Sequence, residues 1–258
     1  MTHPNFLKST IFLKWVMALT GLLLILFAFG HAAGNLQVFL GPDTFNTYSH
    51  FLQSTGELLW IVRLILLAAV VLHIYTAIKL KKMNTEAKPQ IYKKKGYQKS
   101  TIYSRSMLFT GLMLLAFIVY HLLHFTVRVT EPAYAGAEFH ELYGTQIKGA
   151  GLEINIDGHT MTPTEGEAVG TLRRHDTYSM VIDGFKRTHI SIIYIIGVII
   201  LGMHLTHALQ SMFQTLGLSS PVITPKVNAL SKWFGWFLTI IYSSIPISIM
   251  LGLIGGSQ

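Results

Sequence analysis

The sequence predicts an all-α integral membrane protein, a bundle of five transmembrane helices with a small extracytoplasmic cap between the third and fourth. Its 258 residues are 51% hydrophobic and only 12% charged, with a mean hydropathy of +0.46. Soluble domains average about 25% charged residues. Five stretches are also apolar and long enough, at roughly 20 residues, to cross a bilayer core of about 30 Å.

The predicted spans 1 to 5 cover residues 12–40, 58–80, 107–127, 190–217 and 233–254. Span 1 is longer than the apolar region of a signal peptide, and no small-residue cleavage site follows it, so it is predicted to be a membrane helix. Residues 131–186 form an extracytoplasmic insertion too long for a simple connection, which predicts structure of its own. Within it, GLEINIDGHTM alternates apolar and polar residues around Asp157-Gly158 and predicts a β-hairpin.

Positive charge lies on one side of the predicted membrane. The connection 79–105 carries nine basic residues against one acid, and the N-terminus and the connection between spans 4 and 5 are also basic. Residues 41–56 have no lysine or arginine, and 128–189 have six basic against nine acidic residues. The positive-inside rule therefore places the N-terminus in the cytoplasm and the C-terminus outside a cell inner membrane.

The net charge of +8 is explained mainly by this orientation signal. The alternative is that the basic connection also binds an anionic partner or lipid headgroups. Nucleic-acid binding is not predicted. The chain has no cysteine, which excludes disulfides, cysteine-held zinc and protein-held iron–sulfur clusters. It also has no P-loop or dinucleotide fingerprint, so redox chemistry requires a bound cofactor or a partner chain.

Histidines occur in each of the first four predicted spans. Ionisable residues are costly inside a membrane and by default indicate function. A rise of 1.5 Å per residue puts His31 about 12 Å and His121 about 10 Å below the outer surface, and His73 roughly 9 Å above the inner one. His31 and His121 thus share an outer level. His73 shares an inner level with His204 or His207, and depth alone slightly favours His207.

Two stacked pairs of histidines in a four-helix core are what two bis-histidine b-type haems require. Neutral imidazole binds haem iron well, and burial favours the neutral form. Two axial ligands leave no position for O₂, so the pattern indicates electron transfer. Clearance for the haems could come from glycines in spans 1, 3 and 4, namely Gly21, Gly30, Gly34, Gly111, Gly197 and Gly202.

Polar residues near the span ends are candidate partners for the haem propionates. Arg63 is the most interesting because it lies within an apolar span. The alternative for the others is ordinary interfacial placement of long side chains. The candidates are Lys14, Arg105, Ser211 and Gln214 on the inner side, and Asn35, Arg63 and Arg128 on the outer side.

Several stretches together resemble the five-helix, dihaem cytochrome b558-type membrane anchor of succinate:quinone oxidoreductases (succinate dehydrogenase and fumarate reductase). The resemblance covers all five spans but not the outer segment from about 131 to 186. The matching stretches are GHAAGNLQVFLG, FNTYSHFLQSTGELLWIVR, LHIYTAI, YHLLHF and HLTHALQSMFQTLG.

The resemblance implies that the axial ligands are His31 with His121 and His73 with His204. It selects His204 over His207, with Gly217 thirteen positions after His204. His124 and His207 are then expected to support the ligands or pack beside them.

The resemblance also implies two haem b groups and partners. A flavoprotein subunit and an iron–sulfur subunit would dock on the cytoplasmic side, and the complex could form a higher oligomer. Menaquinone is the expected quinone, near the outer haem, with Glu57, His50 and Asn35 as candidate contacts. The alternative for Glu57 is that it starts a helix, where the dipole favours an acid. Span 4 lacks the glutamate that carries protons in some fumarate reductases.

Two other functions are open from the sequence. One is the cytochrome b anchor of a different respiratory enzyme, such as a hydrogenase or formate dehydrogenase, although those usually group their histidines differently. The other is a transporter that uses histidines for protons or metal. Carriers often show interrupted helices in matching halves, whereas here Pro246, which should kink span 5, has no counterpart.

Overall fold

The computed structural model describes residues 9–87, 102–130, 154–156, 159–161 and 176–255. Most of them are helical, and five helices are long and apolar enough to cross a membrane. The elements are α1 (Thr10–Asn35), α2 (Pro42–Ser54), α3 (Glu57–Glu86), α4 (Ile102–His121), β1 (Ile154–Ile156), β2 (His159–Met161), α5 (Thr177–Lys186), α6 (Thr188–Thr215) and α7 (Ile223–Met250).

The five predicted spans correspond to α1, α3, α4, α6 and α7. A 3-10 turn, Leu36–Leu40, extends α1, and a π-helical turn, Leu122–Thr126, extends α4. The largest differences in bounds are at the basic end, where α3 continues to Glu86 and α7 begins at Ile223. Hydropathy reports only the part of a helix that lies in lipid, so polar turns beyond it escape prediction.

Large apolar side chains cover the outward faces of these helices. Leu26 is 60% exposed, Leu64 61%, Phe109 66% and Ile240 68%. Exposed apolar surface on this scale is unfavourable in water but is the expected boundary with lipid. The fold is therefore that of a multi-pass membrane bundle.

Two short helices, α2 and α5, lie at the end where α1 finishes and α3 begins. Gly41, with a φ of 96°, ends the 3-10 turn, and Pro42 occupies the first position of α2, where its missing N–H costs nothing. The α5 helix begins at Asp176, whose carboxylate accepts a hydrogen bond from the Ser179 backbone N–H at 2.9 Å. Neither helix is long enough to cross a membrane, and the span prediction missed both.

A buried polar contact joins α2 to α5. The Asn46 amide donates to the Asp176 carboxylate at 3.0 Å, and its oxygen accepts from the Tyr178 backbone N–H at 2.8 Å. Asn46 is almost completely buried, so both halves of its amide are satisfied without water. The two helices thus form one layer across this end of the bundle.

The larger of two apolar cores lies beneath that layer. It includes Phe45 from α2, Phe185 from α5, Tyr194 from α6 and Ile249 from α7. The smaller core lies deeper in the bundle and includes Ile25, Leu205 and Leu238. The end that contains α2 and α5 therefore has a larger apolar core than the deeper part of the bundle.

Glycines bring α6 and α7 into close contact. A Cβ at Gly202 would lie 2.8 Å from the Gly235 carbonyl oxygen, and one at Gly235 would also meet the Thr206 hydroxyl. The Thr239 hydroxyl donates to the Val198 carbonyl across the same contact at 3.2 Å. Small residues four apart are a common means of packing helices in lipid, where no hydrophobic force drives association.

The predicted hairpin is present as β1 paired antiparallel with β2, with Asn155 opposite Thr160. The remainder of the predicted cap over 131–186, apart from α5, lies outside the described residues. So do the N-terminal eight residues and most of the lysines of the basic connection.

Candidate functional site

The structure brings His31 of α1 and His121 of α4 together near the α2–α5 layer. Their ring centroids are 5.9 Å apart and their planes are nearly perpendicular, at 82°. Phe27 stacks on the His31 ring at 5.3 Å, and Phe117 stacks on the His121 ring at 6.3 Å. We call these two histidines the outer pair, after the predicted orientation.

His73 of α3 and His204 of α6 each lie against a threonine hydroxyl of a neighbouring helix. The His73 Nδ1 lies 3.3 Å from the Thr20 hydroxyl of α1, and the His204 Nδ1 lies 3.1 Å from the Thr110 hydroxyl of α4. We call His73 and His204 the inner pair.

Both threonine hydroxyls already donate their proton to a backbone carbonyl. Thr20 donates to Val16 at 2.7 Å, and Thr110 donates to Met107 at 3.1 Å. Each oxygen is then an acceptor for an Nδ1–H, which leaves the Nε2 of the histidine deprotonated. Nε2 is the nitrogen that a metal ligand of this tautomer uses.

The helices that contribute to one pair are not packed against each other. The close helix contacts in the described part of the bundle are α1 with α3 and α6, and α6 with α4 and α7. The α1 and α4 backbones stay apart although the His31 and His121 rings lie 5.9 Å apart, and the α3 and α6 backbones also stay apart. In the outer pair the side chains bridge the gap, which is the arrangement expected around a flat group held between two imidazoles.

The outer pair has the separation that a shared metal requires. Metal–imidazole bonds are about 2 Å long and a ring nitrogen lies about 1.1 Å from its centroid, so an intervening metal sets two centroids about 6 Å apart. The 5.9 Å observed agrees. Among the described residues, no group of three or more histidine, aspartate or glutamate side chains could hold a metal ion. Two imidazoles at this distance could serve as two ligands of an ion whose remaining ligands come from elsewhere.

Two glycines lie directly beside the inner pair. A Cβ at Gly21 would lie 3.3 Å from the His73 ring, and one at Gly111 would lie 3.6 Å from the His204 ring. Each follows the threonine that contacts the same histidine, so a Thr-Gly dipeptide recurs on α1 and α4.

The other glycines proposed for clearance have different surroundings. A Cβ at Gly34 would collide with Tyr48, and one at Gly197 with Phe117, while Gly202 contacts α7. Gly30 has open space around it. Gly34, Gly197 and Gly202 therefore allow close packing with neighbouring side chains or helices rather than clearance beside the histidine pairs.

The two remaining histidines of the spans do not join a pair. The His207 Nε2 lies 2.9 Å from the Ser211 hydroxyl one turn along α6, so Ser211, a predicted propionate contact, binds His207. His124 is completely buried, stacks on Phe125 at 3.9 Å and lies 2.8 Å, through Nδ1, from the Tyr194 hydroxyl.

Tyr194 is the residue that the sequence analysis missed. Its hydroxyl contacts the Nδ1 of both His121 and His124, at 3.3 and 2.8 Å. A tyrosine inside an apolar span usually needs a partner for its hydroxyl, and this was the available signal.

The predicted cationic propionate contacts lie toward the ends of the spans. Lys14 and Arg105 are exposed. Arg63 is also exposed, with its guanidinium over the Trp60 ring at 5.0 Å. Arg128 is half-buried, follows the π-helical turn and has a φ of 65°. Burial lowers the pKa of its guanidinium, although arginine keeps its charge in proteins.

The predicted quinone contacts are on the same side as the outer pair. The Asn35 amide donates to the His31 carbonyl at 2.7 Å, so it lies next to this pair along α1. His50 is half-buried on α2, and Glu57 is exposed at the first position of α3, where an acid complements the helix dipole. No family model, curated protein or solved structure matches this chain.

Proposed function

We propose that the chain is a dihaem cytochrome b that anchors a respiratory complex and passes electrons between an iron–sulfur partner subunit and a membrane quinone. The observation that carries the proposal is the meeting of His31 with His121 across helices whose backbones stay apart, together with His73 and His204, each held by a threonine hydroxyl deeper in the bundle. In this assignment His31 and His121 hold one haem b, and His73 and His204 hold the other.

A haem with two imidazole ligands supplies one-electron transfer and has no open position for oxygen. The chain provides the orientation of those ligands. Hydroxyls on Thr20, Thr110 and Tyr194 contact the Nδ1 atoms of three of the four histidines. These contacts fix the tautomer and hold the ring plane.

The two pairs divide the path of an electron across the membrane into two shorter transfers. The inner pair lies toward the basic end of the bundle and the outer pair lies toward the α2–α5 layer. Electrons arriving at one end can therefore reach the other without crossing the whole membrane in one transfer. A quinone near Asn35, His50 and Glu57 would exchange electrons with the outer haem, and menaquinone is the proposed quinone.

The basic end supports docking of the partner subunits. Exposed lysines on α3 and α7, including Lys81, Lys82, Lys226 and Lys232, gather there. Lys82 lies 3.9 Å from Glu86, an exposed pair that contributes little to stability. A positively charged surface attracts acidic protein surfaces and anionic lipid headgroups, which agrees with a cytoplasmic location for this end.

The resemblance to b558-type anchors makes a flavoprotein and an iron–sulfur subunit of a succinate:quinone oxidoreductase the proposed partners. Whether the complex oxidises succinate or reduces fumarate follows from those subunits and from the quinone potential.

The test is purification of the chain from its native membrane in detergent. We expect two haem b per chain, a low-spin α-band after dithionite reduction, and a partner with flavin and succinate–quinone activity. A partner with nickel or molybdenum would instead identify an anchor of a hydrogenase or formate dehydrogenase. A chain without the α-band would overturn both cytochrome assignments and favour a transporter.

A further inference from the structure

A hydroxyl connects the two neighbouring histidines of α4. Tyr194 lies on α6, and its oxygen is 3.3 Å from the His121 Nδ1 and 2.8 Å from the His124 Nδ1. Both Tyr194 and His124 are buried, His124 completely. The proposed function uses His121 as a ligand but assigns no role to His124.

The surroundings of Tyr194 fix its ring. Six aromatic rings of the described residues lie within 6 Å of its centroid, the nearest being Phe185 at 4.9 Å. The others are Phe117, Tyr120, His121, His124 and Phe125. A side chain confined in this way loses little further freedom on making a directed hydrogen bond, so the position of its hydroxyl is set by packing.

The π-helical turn brings α4 to this hydroxyl. The Val127 N–H bonds to the Leu122 carbonyl at 2.7 Å, five residues back instead of four. Such turns occur mostly as single insertions in α-helices, often at functional sites. His124 lies within the turn and His121 immediately before it, so this part of α4 presents two imidazoles to one oxygen.

The directions of the two hydrogen bonds follow from the protonation state of His121, and this assignment rests on the proposed function. If the His121 Nε2 binds iron, its Nδ1 carries the proton and must donate to the Tyr194 oxygen. The Tyr194 proton is then available to the His124 Nδ1, which accepts it. The result is a directed chain from His121 through Tyr194 to His124.

We infer that Tyr194 is a positioning residue, held by His124, that fixes the orientation of the His121 imidazole and sets the redox balance of the outer haem. Accepting a hydrogen bond from Nδ1–H makes the imidazole a stronger electron donor, and this favours oxidised iron. Donation by Tyr194 to His124 strengthens that acceptor through cooperativity. No described side chain forms a corresponding hydrogen bond with the His31 ring. Within this pair, the hydrogen bond that adjusts the redox balance is therefore the one on His121.

The experiment is a redox titration of the purified protein carrying Tyr194→Phe, which removes only the hydroxyl. At a fixed potential we expect the outer haem to shift toward the reduced form by about threefold to tenfold, the scale of one hydrogen bond, while the inner haem is unchanged. The EPR g-values of the oxidised outer haem should also change, because they depend on the angle between the two imidazole planes.

Tyr178→Phe is the matched control. Tyr178 packs against the same apolar core, and the change removes the same atom. His124→Phe is the second variant, and it should shift the outer haem in the same direction by a smaller factor, since Tyr194 loses the group to which it donates.

The inference is overturned if Tyr194→Phe and His124→Phe leave the outer haem unchanged, or if Tyr178→Phe produces an equal shift. It is also overturned if both haems shift together. These results are distinct from a failure of the proposed function, in which the unmodified protein would lack b-type haem.

Discussion

The inner and outer histidine pairs are held by different means. Each inner histidine contacts a threonine hydroxyl on the neighbouring helix, and that hydroxyl is anchored to its own backbone. In the outer pair, His121 contacts Tyr194 within an aromatic cluster, whereas His31 stacks on Phe27. The inner histidines are therefore fixed by the regular geometry of helices, and His121 by the packing of one buried ring.

The two levels should therefore respond separately to mutation. The inner pair depends on residues immediately beside it in the bundle, Thr-Gly on α1 and Thr-Gly on α4. The outer pair depends on the apolar core beneath α2 and α5. If the levels are independent, each substitution should alter one haem and leave the other as an internal reference.

The largest effect is expected from removing a ligand. His73→Ala should reduce the haem content from two per chain to one and abolish the inner signal, and His121→Ala should abolish the outer one. Haem extraction and the reduced-minus-oxidised spectrum measure both. His189→Ala is the control, because His189 is exposed at the start of α6. Loss of neither haem in His73→Ala would refute the inner assignment.

A bulky residue beside the inner pair should act almost as strongly. Gly21→Leu is expected to displace the His73 ring, since even a Cβ would lie 3.3 Å from it, and to lower occupancy of the inner haem alone. Gly111→Ala places its Cβ at an ordinary contact distance of 3.6 Å and should retain both haems. Equal behaviour of the two variants would show that clearance beside these rings is unimportant.

Breaking the contact between α2 and α5 should destabilise the outer level. Asn46→Ala leaves the Tyr178 backbone N–H without its acceptor, which costs about 1–3 kcal/mol. We expect a lower thermal unfolding midpoint and earlier loss of the outer haem on heating. Gln53→Ala is the control. Gln53 is exposed on the same helix, and its side-chain amide contacts Ser49 within α2 rather than a residue of α5. If the inner haem is lost first in Asn46→Ala, the proposed separation of the two levels is wrong.

The smallest effect is expected from the threonines. Thr110→Val keeps the shape of the side chain but removes the acceptor for the His204 Nδ1–H. The inner haem should shift toward the reduced form by about twofold to fivefold at a fixed potential, with the outer haem unchanged. Thr110→Ser should restore the original balance. A shift confined to the outer haem would reverse the assignment of levels.

The sequence predicts the spans and the meeting of His31 with His121 because both follow from simple regularities. Apolar length defines a membrane helix, and a fixed rise per residue converts position into depth. That argument slightly favoured His207 over His204, which lies one turn away, and the choice of His204 came from the resemblance. The structure places the His204 Nδ1 against the Thr110 hydroxyl of α4 and turns His207 toward Ser211, a difference of helix face rather than depth.

Other parts of the molecule were beyond prediction for physical reasons. The α2 and α5 helices are short and mixed in composition, and their stability comes from contacts such as Asn46 with Asp176, which lie far apart in sequence. Tyr194 reaches His124 only because of a π-helical turn, and such a turn depends on packing. The Thr20-Gly21 and Thr110-Gly111 dipeptides were visible in the sequence, but their meaning required knowledge of which helix lies opposite.

The fifth membrane helix contributes no histidine, yet it is bound tightly to α6 through Gly202 and Gly235, and its Tyr242 hydroxyl donates to the Ala28 carbonyl of α1 at 2.6 Å. It therefore contacts both α1 and α6, two of the helices that carry the paired histidines. Under the proposed function, these contacts would hold α1 and α6 in position before haem binds.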